Sequence, residues 1–194
     1  TADEWGILFR NIFSLAGLKL DDVDGIIVAS VVPPLEASLA EMARRYFRTE
    51  AVFVRPATDT GLAIRYENPR EVGADRVVNA VAAFHKYGGP CVVVDLGTAI
   101  TFDAISAQAE YLGGLICAGI GISIEALFAK TARLPLVDFR EPETLIGTNT
   151  VGSMQSGLFY GAVSMIDGIL ERLISELGPA TRAVSTGGQA HMIV

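Results

Sequence analysis

Charge is scarce in this chain. Only 19% of its 194 residues are Asp, Glu, Lys or Arg, and 15 cationic against 22 acidic side chains leave a net charge of −7. No basic block offsets that balance. Nonspecific nucleic-acid binding, which neutralises phosphates with clustered lysines and arginines, is therefore excluded, although a local basic pocket for a small anion is not. Histidine and cysteine are equally sparse, two of each, and no CxxC or Cys/His cluster suggests a zinc site. Cys91 and Cys117 fall in apolar, strand-like runs and read as two buried, reduced thiols. His85 and His191 have no partners at ligand spacing. Long apolar runs are missing too. The stretches at residues 25–33 and 91–94 stop at proline or at Asp95, far short of the roughly 20 residues of a membrane span. No basic segment leads into an apolar one, so no signal peptide is expected and the chain reads as cytoplasmic, with no membrane partner. Walker-type glycine loops, GxSxG and HExxH are all lacking.

What is present is apolar material, 51% of the residues, divided by 20 glycines and 8 prolines into many short elements. Such a composition excludes dominant disorder and supplies a core for one large domain or two small ones. Thr1 or Asp3 can cap a helix whose apolar positions Trp5, Leu8, Phe9, Ile12 and Phe13 recur at the helical period and close at Gly17. Residues 23–32 read as a buried strand stopped by Pro33-Pro34. Residues 35–47 read as a helix, 51–54 as a short strand and 71–87 as a helix ending at Gly88-Gly89. A different pattern opens at Cys91, with strands at 91–95, 99–105 and 111–117 joined by short turns, hence antiparallel hairpins. Helices at 122–132 and 151–177 and a last strand at 181–185 complete it. The boundary between two lobes falls at residues 88–90, giving units 1–88 and 89–194. The first resembles the second without its opening hairpin.

Four short motifs can carry chemistry. In Asp95-Leu96-Gly97-Thr98 a buried strand delivers an acid to its end and a glycine turn follows. Backbone amides and the Thr98 hydroxyl can face phosphate oxygens there, and Asp95 can hold a cation or its water shell. The same residues also read as an ordinary hairpin turn. Gly73-Ala74-Asp75-Arg76 opens a helix. Asp75 is either a residue favoured by the helix dipole or a general base, and Arg76 a planar fork for carboxylate or phosphate. In Ile146-Gly147-Thr148-Asn149-Thr150, before the longest helix, Asn149 and Thr150 either cap it or bind a polar substrate. Ser185-Thr186-Gly187-Gly188 is a turn that admits close approach of a planar group such as a nucleotide base. Tyr66, before Glu67-Asn68-Pro69, reads as either a surface or a pocket residue.

In order along the chain, GADR, DLGTA, Tyr111-Leu112-Gly113-Gly114, Thr131-Ala132-Arg133-Leu134-Pro135, IGTNT and STGG resemble type III pantothenate kinase. Each motif is weak, but their joint order is specific, and the likeness is dense from Tyr66 to Gly188. The resemblance implies an α/β fold of two ribonuclease H-like lobes with mixed five-stranded sheets, the actin-like ATPase architecture, with ATP bound between them. It implies transfer of phosphate from ATP to the terminal hydroxyl of pantothenate, the first committed step toward coenzyme A. By the same resemblance Asp75 is the proton acceptor, and Gly73, Ala74, Arg76 and Tyr66 belong to the pantothenate site. Thr150 completes that site across a homodimer interface. Asp95 is the ligand of a monovalent cation, K⁺ or NH₄⁺, used alongside Mg²⁺. Thr98 and Gly97 contact ATP, with Gly187 and Gly188 on the nucleotide side.

The family's opening Asp-x-Gly-Asn-Thr hairpin, half of its phosphate clamp, is not in this sequence, nor is a closing segment after Val194. The expectation is that segments of a longer protein are omitted, since a sheet without its first strands leaves an edge unpaired. Two other classes are open on sequence grounds. One is an inactive regulatory relative, against which the retention of Asp75, Arg76, Asp95 and Thr150 argues. The other is an actin- or Hsp70-like ATPase, which gives no reason for GADR.

Overall fold

The first helix, α1 (Ala2–Leu15), begins in a capping box: the Thr1 hydroxyl accepts from the Glu4 N–H at 3.3 Å, and the Glu4 carboxylate takes a hydrogen bond from the Thr1 amine at 2.6 Å. Its apolar stripe sets Phe9 and Phe13 edge-on against Phe47, with centroids 6.0 and 5.6 Å apart. The computed structural model describes residues 1–55 and 58–193. They divide into two units, Thr1–Thr60 with Glu67–Val78, and Gly61–Tyr66 with Asn79–Val194.

In the first unit, residues 23–32 do not form one long strand. Only β1 (Ile26–Val28) is paired as a strand, in register with the three residues of its parallel partner β2 (Ala51–Phe53). Ile27 and Val52, paired in register, are 72% and 59% exposed, so one face of this two-stranded sheet is open. Pro33 and Pro34 start a helix instead of merely stopping a strand. They fill the first turn of α2 (Pro33–Met42), where a missing N–H would have no intrahelical partner anyway. The helix expected to run to residue 47 changes at Ala43 into a single π-helical turn, Ala43–Phe47, closed by Arg48 in the left-handed region. Helix α1 packs on α2. On the surface, the Tyr46 hydroxyl and the Arg45 guanidinium, both within 2.8 Å of Asp3, hold its carboxyl below the usual range.

The second unit is a five-stranded mixed sheet in the order β3-β6-β5-β4-β7. Its strands are β3 (Ala63–Ile64), β4 (Cys91–Leu96), β5 (Ala99–Ile105), β6 (Glu110–Ala118) and β7 (Arg182–Thr186). β4, β5 and β6 form the expected antiparallel hairpins, while β7 runs parallel to β4 and β3 parallel to β6. The strand β3 was not expected. Two residues show no periodicity, and it is held by its neighbour, with the Arg65 N–H on the Tyr111 carbonyl at 2.8 Å and an Arg65–Glu110 ion pair at 2.6 Å. β4 is buried on both faces, which is why it reads as a continuous apolar run.

Helix α3 (Ala74–Tyr87) begins in the first unit, and its part from Asn79 onward belongs to the second. There Ala82, Ala83, Lys86 and Tyr87 line a small cavity with Val93 and β7. The main core contains Val92, Val94, Leu96, Ile100 and Phe102 with Ile120 of α4 (Ile120–Lys130) and Ile166 of α5 (Thr150–Leu177). Each such side chain contributes about 1.5–3 kcal/mol on burial. Cys91 lies in this sheet fully buried. Cys117, expected to be buried, is only half-buried, on the outer part of β6 that β3 is too short to flank. No helix among the described residues is long and apolar enough to cross a membrane.

Candidate active site

Parallel pairing of β4 and β7 sets Asp95 opposite Thr186, so the two strands end side by side. The DLGT turn and the STGG turn, far apart in sequence, therefore meet at one end of the sheet. The Gln189 N–H donates to the Leu96 carbonyl at 3.2 Å across them. Gly187 is required there. Its φ is +95°, and a Cβ would stand 2.5 Å from Asp95 Oδ1 and 2.6 Å from the Leu96 carbonyl oxygen. β6, parallel to β4, delivers a third segment to the same end: Gly119, the N-cap of α4, lies against the Thr98 carbonyl. Two glycine turns and a helix N-terminus share this sheet end, an arrangement whose backbone N–H groups suit phosphate oxygens. Gly97 closes the β4–β5 hairpin through its N–H to the Ala99 carbonyl at 3.1 Å, and Thr98 is exposed.

Asp95 is held by a side chain of α3. Its Oδ2 accepts from the Asn79 side-chain amide at 2.9 Å, while Oδ1 lies against the Gly97 and Gly187 turns. A single carboxylate beside backbone carbonyls is an all-oxygen donor set that suits a large, weakly charged cation. Among the described residues there is no group of three or more His, Cys, Asp or Glu fit for a tightly held metal. Asn79 escaped the sequence reading. The signal that could have found it is its place one helical turn after Asp75, on the same stripe of α3.

In the first unit, the GADR residues form the entry to α3. The Gly73 carbonyl accepts the first helical bond, from Val77, at 3.1 Å. Asp75 folds its carboxylate back over the turn: Oδ1 accepts from the Arg76 N–H at 2.8 Å and lies where a side chain on Gly73 would go. Ala74 is half-buried, Asp75 exposed and Arg76 9% exposed, so neighbouring residues present one acid to solvent and withdraw one cation from it.

Tyr66 follows β3 and is half-buried, its ring 6.4 Å from that of Tyr111. Thr150, the first residue of α5, is exposed and lines a cavity of about 670 Å³ with Leu127, Leu134, Asn149, Met154 and Leu158. Asn149 is the N-cap: its side chain accepts from the Gly152 N–H at 2.8 Å, so of its two sequence readings the capping one is realised. The second unit thus brings together Asp95, Gly97, Thr98, Gly187 and Gly188. Thr150 and Tyr66 lie elsewhere in that unit, on the α5 groove and on β6.

A family model described as type III pantothenate kinase matches residues 1–172. A type III pantothenate kinase of Solibacter usitatus is 71% identical over 194 residues, all of this chain and 74% of that relative. The chain belongs to the type III pantothenate kinase family. A type III pantothenate kinase of Koribacter versatilis is 54% identical over 193 residues, and the chain covers 70% of it. Among solved structures, one described as a conserved putative Baf family transcriptional activator from Campylobacter jejuni superposes with a TM-score of 0.57 at 20% identity. The match covers 90% of this chain and 73% of that one. At that identity the likeness is one of fold alone. For a type III pantothenate kinase the informative point is local: the motifs at the sheet end and at the start of α3 are those that carried the sequence resemblance.

Proposed function

We propose that this protein phosphorylates pantothenate with ATP, giving 4′-phosphopantothenate and ADP, the first step of coenzyme A biosynthesis. Membership of the type III pantothenate kinase family supports the reaction. The structural observation that carries the site is the meeting of the Asp95 and Gly187 turns at one sheet end beside the N-terminus of α4. In this reading the chain forms two ribonuclease H-like lobes, residues 1–88 and 89–194; its division into two compact units supports there being two, with residues 61–66 and 79–88 grouped with the second rather than the first. The protein works in the cytoplasm.

The exposed Asp75 accepts the proton of the primary hydroxyl as that oxygen attacks the γ-phosphorus. A new O–P bond forms, the bond to the β–γ bridging oxygen breaks, and ADP departs with the electron pair. Phosphoryl transfer of this kind asks for positioning and charge neutralisation more than for covalent help. Gly97 and Thr98 hold the triphosphate, and Gly187 and Gly188 admit the nucleotide. Arg76 clamps the pantothenate carboxylate, and Gly73, Ala74 and Tyr66 shape its pocket. Mg²⁺ and a monovalent cation, K⁺ or NH₄⁺, would supply neutralisation of phosphate charge, with Asp95 holding the monovalent one. Thr150 completes the pantothenate site of a second copy across a homodimer interface. The apolar cavity beside it, with Leu127, Leu134 and Leu158, supports that reading.

The test is a coupled ADP-release assay on the full-length protein, with and without pantothenate, in potassium or in sodium. The reading expects release that requires pantothenate and is stimulated by potassium. Release indifferent to pantothenate, or none, would refute it.

A further inference from the structure

The YLGG segment is a family motif to which the reading above gives no task. Its geometry is unusual. β5 and β6 pair regularly up to Ala104 opposite Gly113, and then the register slips so that Ile105 faces Tyr111. Leu112 is left as the extra residue of a bulge, a device that re-aims neighbouring side chains. Gly113 has φ +118°, a conformation L-residues rarely adopt. A Cβ there would stand 3.4 Å and 3.5 Å from two ring carbons of Tyr66. Tyr111, fully buried, has its ring 6.4 Å from that of Tyr66 at 53°, and its hydroxyl donates to Asp103 Oδ1 at 2.6 Å. Asp103 is itself wholly buried, and its other oxygen takes a 3.3 Å hydrogen bond from Thr101. The backbone of β3 completes the arrangement, since the Arg65 N–H is bonded to the Tyr111 carbonyl just before Tyr66.

We propose that the YLGG bulge is the seat of the Tyr66 side chain, and that Asp103, Tyr111 and Gly113 are positioning residues that set pantothenate affinity through it. The inference rests on the reading of Tyr66 as a pantothenate contact. The buried carboxylate fixes the Tyr111 hydroxyl. The Tyr111 ring and the bare backbone at Gly113 then leave one place for the half-buried Tyr66 ring. A rigid aromatic wall binds substrate without losing side-chain freedom on each binding event, so loosening the seat weakens binding and leaves the transfer step alone.

The experiment is steady-state kinetics of the full-length protein with Tyr66→Ala, Tyr111→Phe, Gly113→Ala and the two doubles built on Tyr66→Ala. Tyr66→Ala raises KM for pantothenate. Tyr111→Phe, which removes one hydroxyl and keeps the ring, raises it by about 3–10-fold. In both, kcat and KM for ATP stay near wild type. Gly113→Ala behaves alike or more strongly, and if its strained backbone prevents folding, Tyr111→Phe carries the test. In the Tyr66→Ala background the second substitution changes KM no further. An unchanged KM in Tyr66→Ala would overturn Tyr66 as a substrate contact, and the proposal with it. A raised KM in Tyr66→Ala with a wild-type value in Tyr111→Phe would overturn the proposal alone. So would equal increments with and without Tyr66, or a fall in kcat at constant KM.

Discussion

The side-chain amide of Asn79 donates to Asp95 at 2.9 Å, joining the second turn of α3 to the strand end that carries the DLGT turn. One carboxylate oxygen is thereby fixed and the other is left against the glycine turns. Removing the donor in Asn79→Ala should cost about 1.5–3 kcal/mol of stability, the loss of one hydrogen bond to a charged group. It should also let the carboxylate rotate, so more K⁺ is needed for half-maximal activity. Asp95→Asn keeps the shape without the charge and should lower kcat by about 10²–10³-fold with potassium stimulation gone. Activity titrated against potassium, with thermal melts alongside, checks both; a wild-type potassium curve for Asn79→Ala counts against the role given to this pair.

Gly187→Ala should damage the proposed nucleotide side. The new methyl would press on Asp95 Oδ1 and the Leu96 carbonyl at a φ of +95°, and the backbone has no relaxed alternative while β7 stays paired with β4. Strain of about 1–3 kcal/mol is expected. KM for ATP should rise, while KM for pantothenate holds. Gly188, with nothing near its Cβ position, should tolerate alanine with a smaller change in both quantities. Equal tolerance at the two positions would contradict the packing argument.

Much of this arrangement was legible beforehand, and the failures have physical causes. The bounds of β5, residues 99–105, coincide with the reading because alternation, a glycine turn before it and a polar turn after it agree. The antiparallel hairpins followed from the short turns. By contrast, residues 23–32 were overextended, because an apolar run shows that a strand can form and not where its partner stops. β3 and the π turn were missed for want of any period to read. At the site, Asp95 and Gly97–Thr98 could be placed on a strand end from local sequence. Their contact with Gly187 could not, since the β4–β7 pairing joins residues far apart in the chain. Asn79 was invisible because one amide on an amphipathic helix looks like any solvated residue.

Asp75→Asn tests the proposed proton acceptor. The Asn side-chain carbonyl can keep the hydrogen bond that Asp75 Oδ1 accepts from the Arg76 N–H, and the residue is exposed, so the fold should be indifferent. Turnover should fall by about 10²–10⁴-fold, the usual worth of a general base. Circular dichroism and the melting temperature should match wild type. Turnover close to wild type would sink the assignment.

The two thiols should differ in reactivity. Burial pushes the Cys91 thiol above its ordinary value of 9.0, so in the native protein it stays protonated and out of reach at pH 8. Because the folded state holds this proton more tightly than the unfolded one, the thiol leaves stability unchanged below the ordinary thiol range. It lowers stability as pH climbs above that range. Alkylation at pH 8 followed by mass spectrometry should label half-buried Cys117 first and Cys91 only on unfolding. Rapid native labelling of Cys91 would show that β4 opens readily.

Asn149 and Thr150 are neighbours with separable duties, and their alanine variants should part company. The Asn149 side chain accepts from the Gly152 N–H at 2.8 Å, satisfying one of the free donors at the head of a 28-residue helix. Asn149→Ala should therefore cost about 1 kcal/mol, a shift of a few degrees in the melting temperature. Thr150 makes no such cap and faces the cavity between α4 and α5. Thr150→Ala should leave the melting temperature where it is and raise KM for pantothenate. If the threonine serves a second copy, mixing Thr150→Ala with Asp75→Asn subunits should restore activity that neither has in full. The mixed dimer then pairs an intact Asp75 with an intact Thr150 in one of its two sites. Activity no greater than the sum of the separate variants would place Thr150 within its own subunit's site.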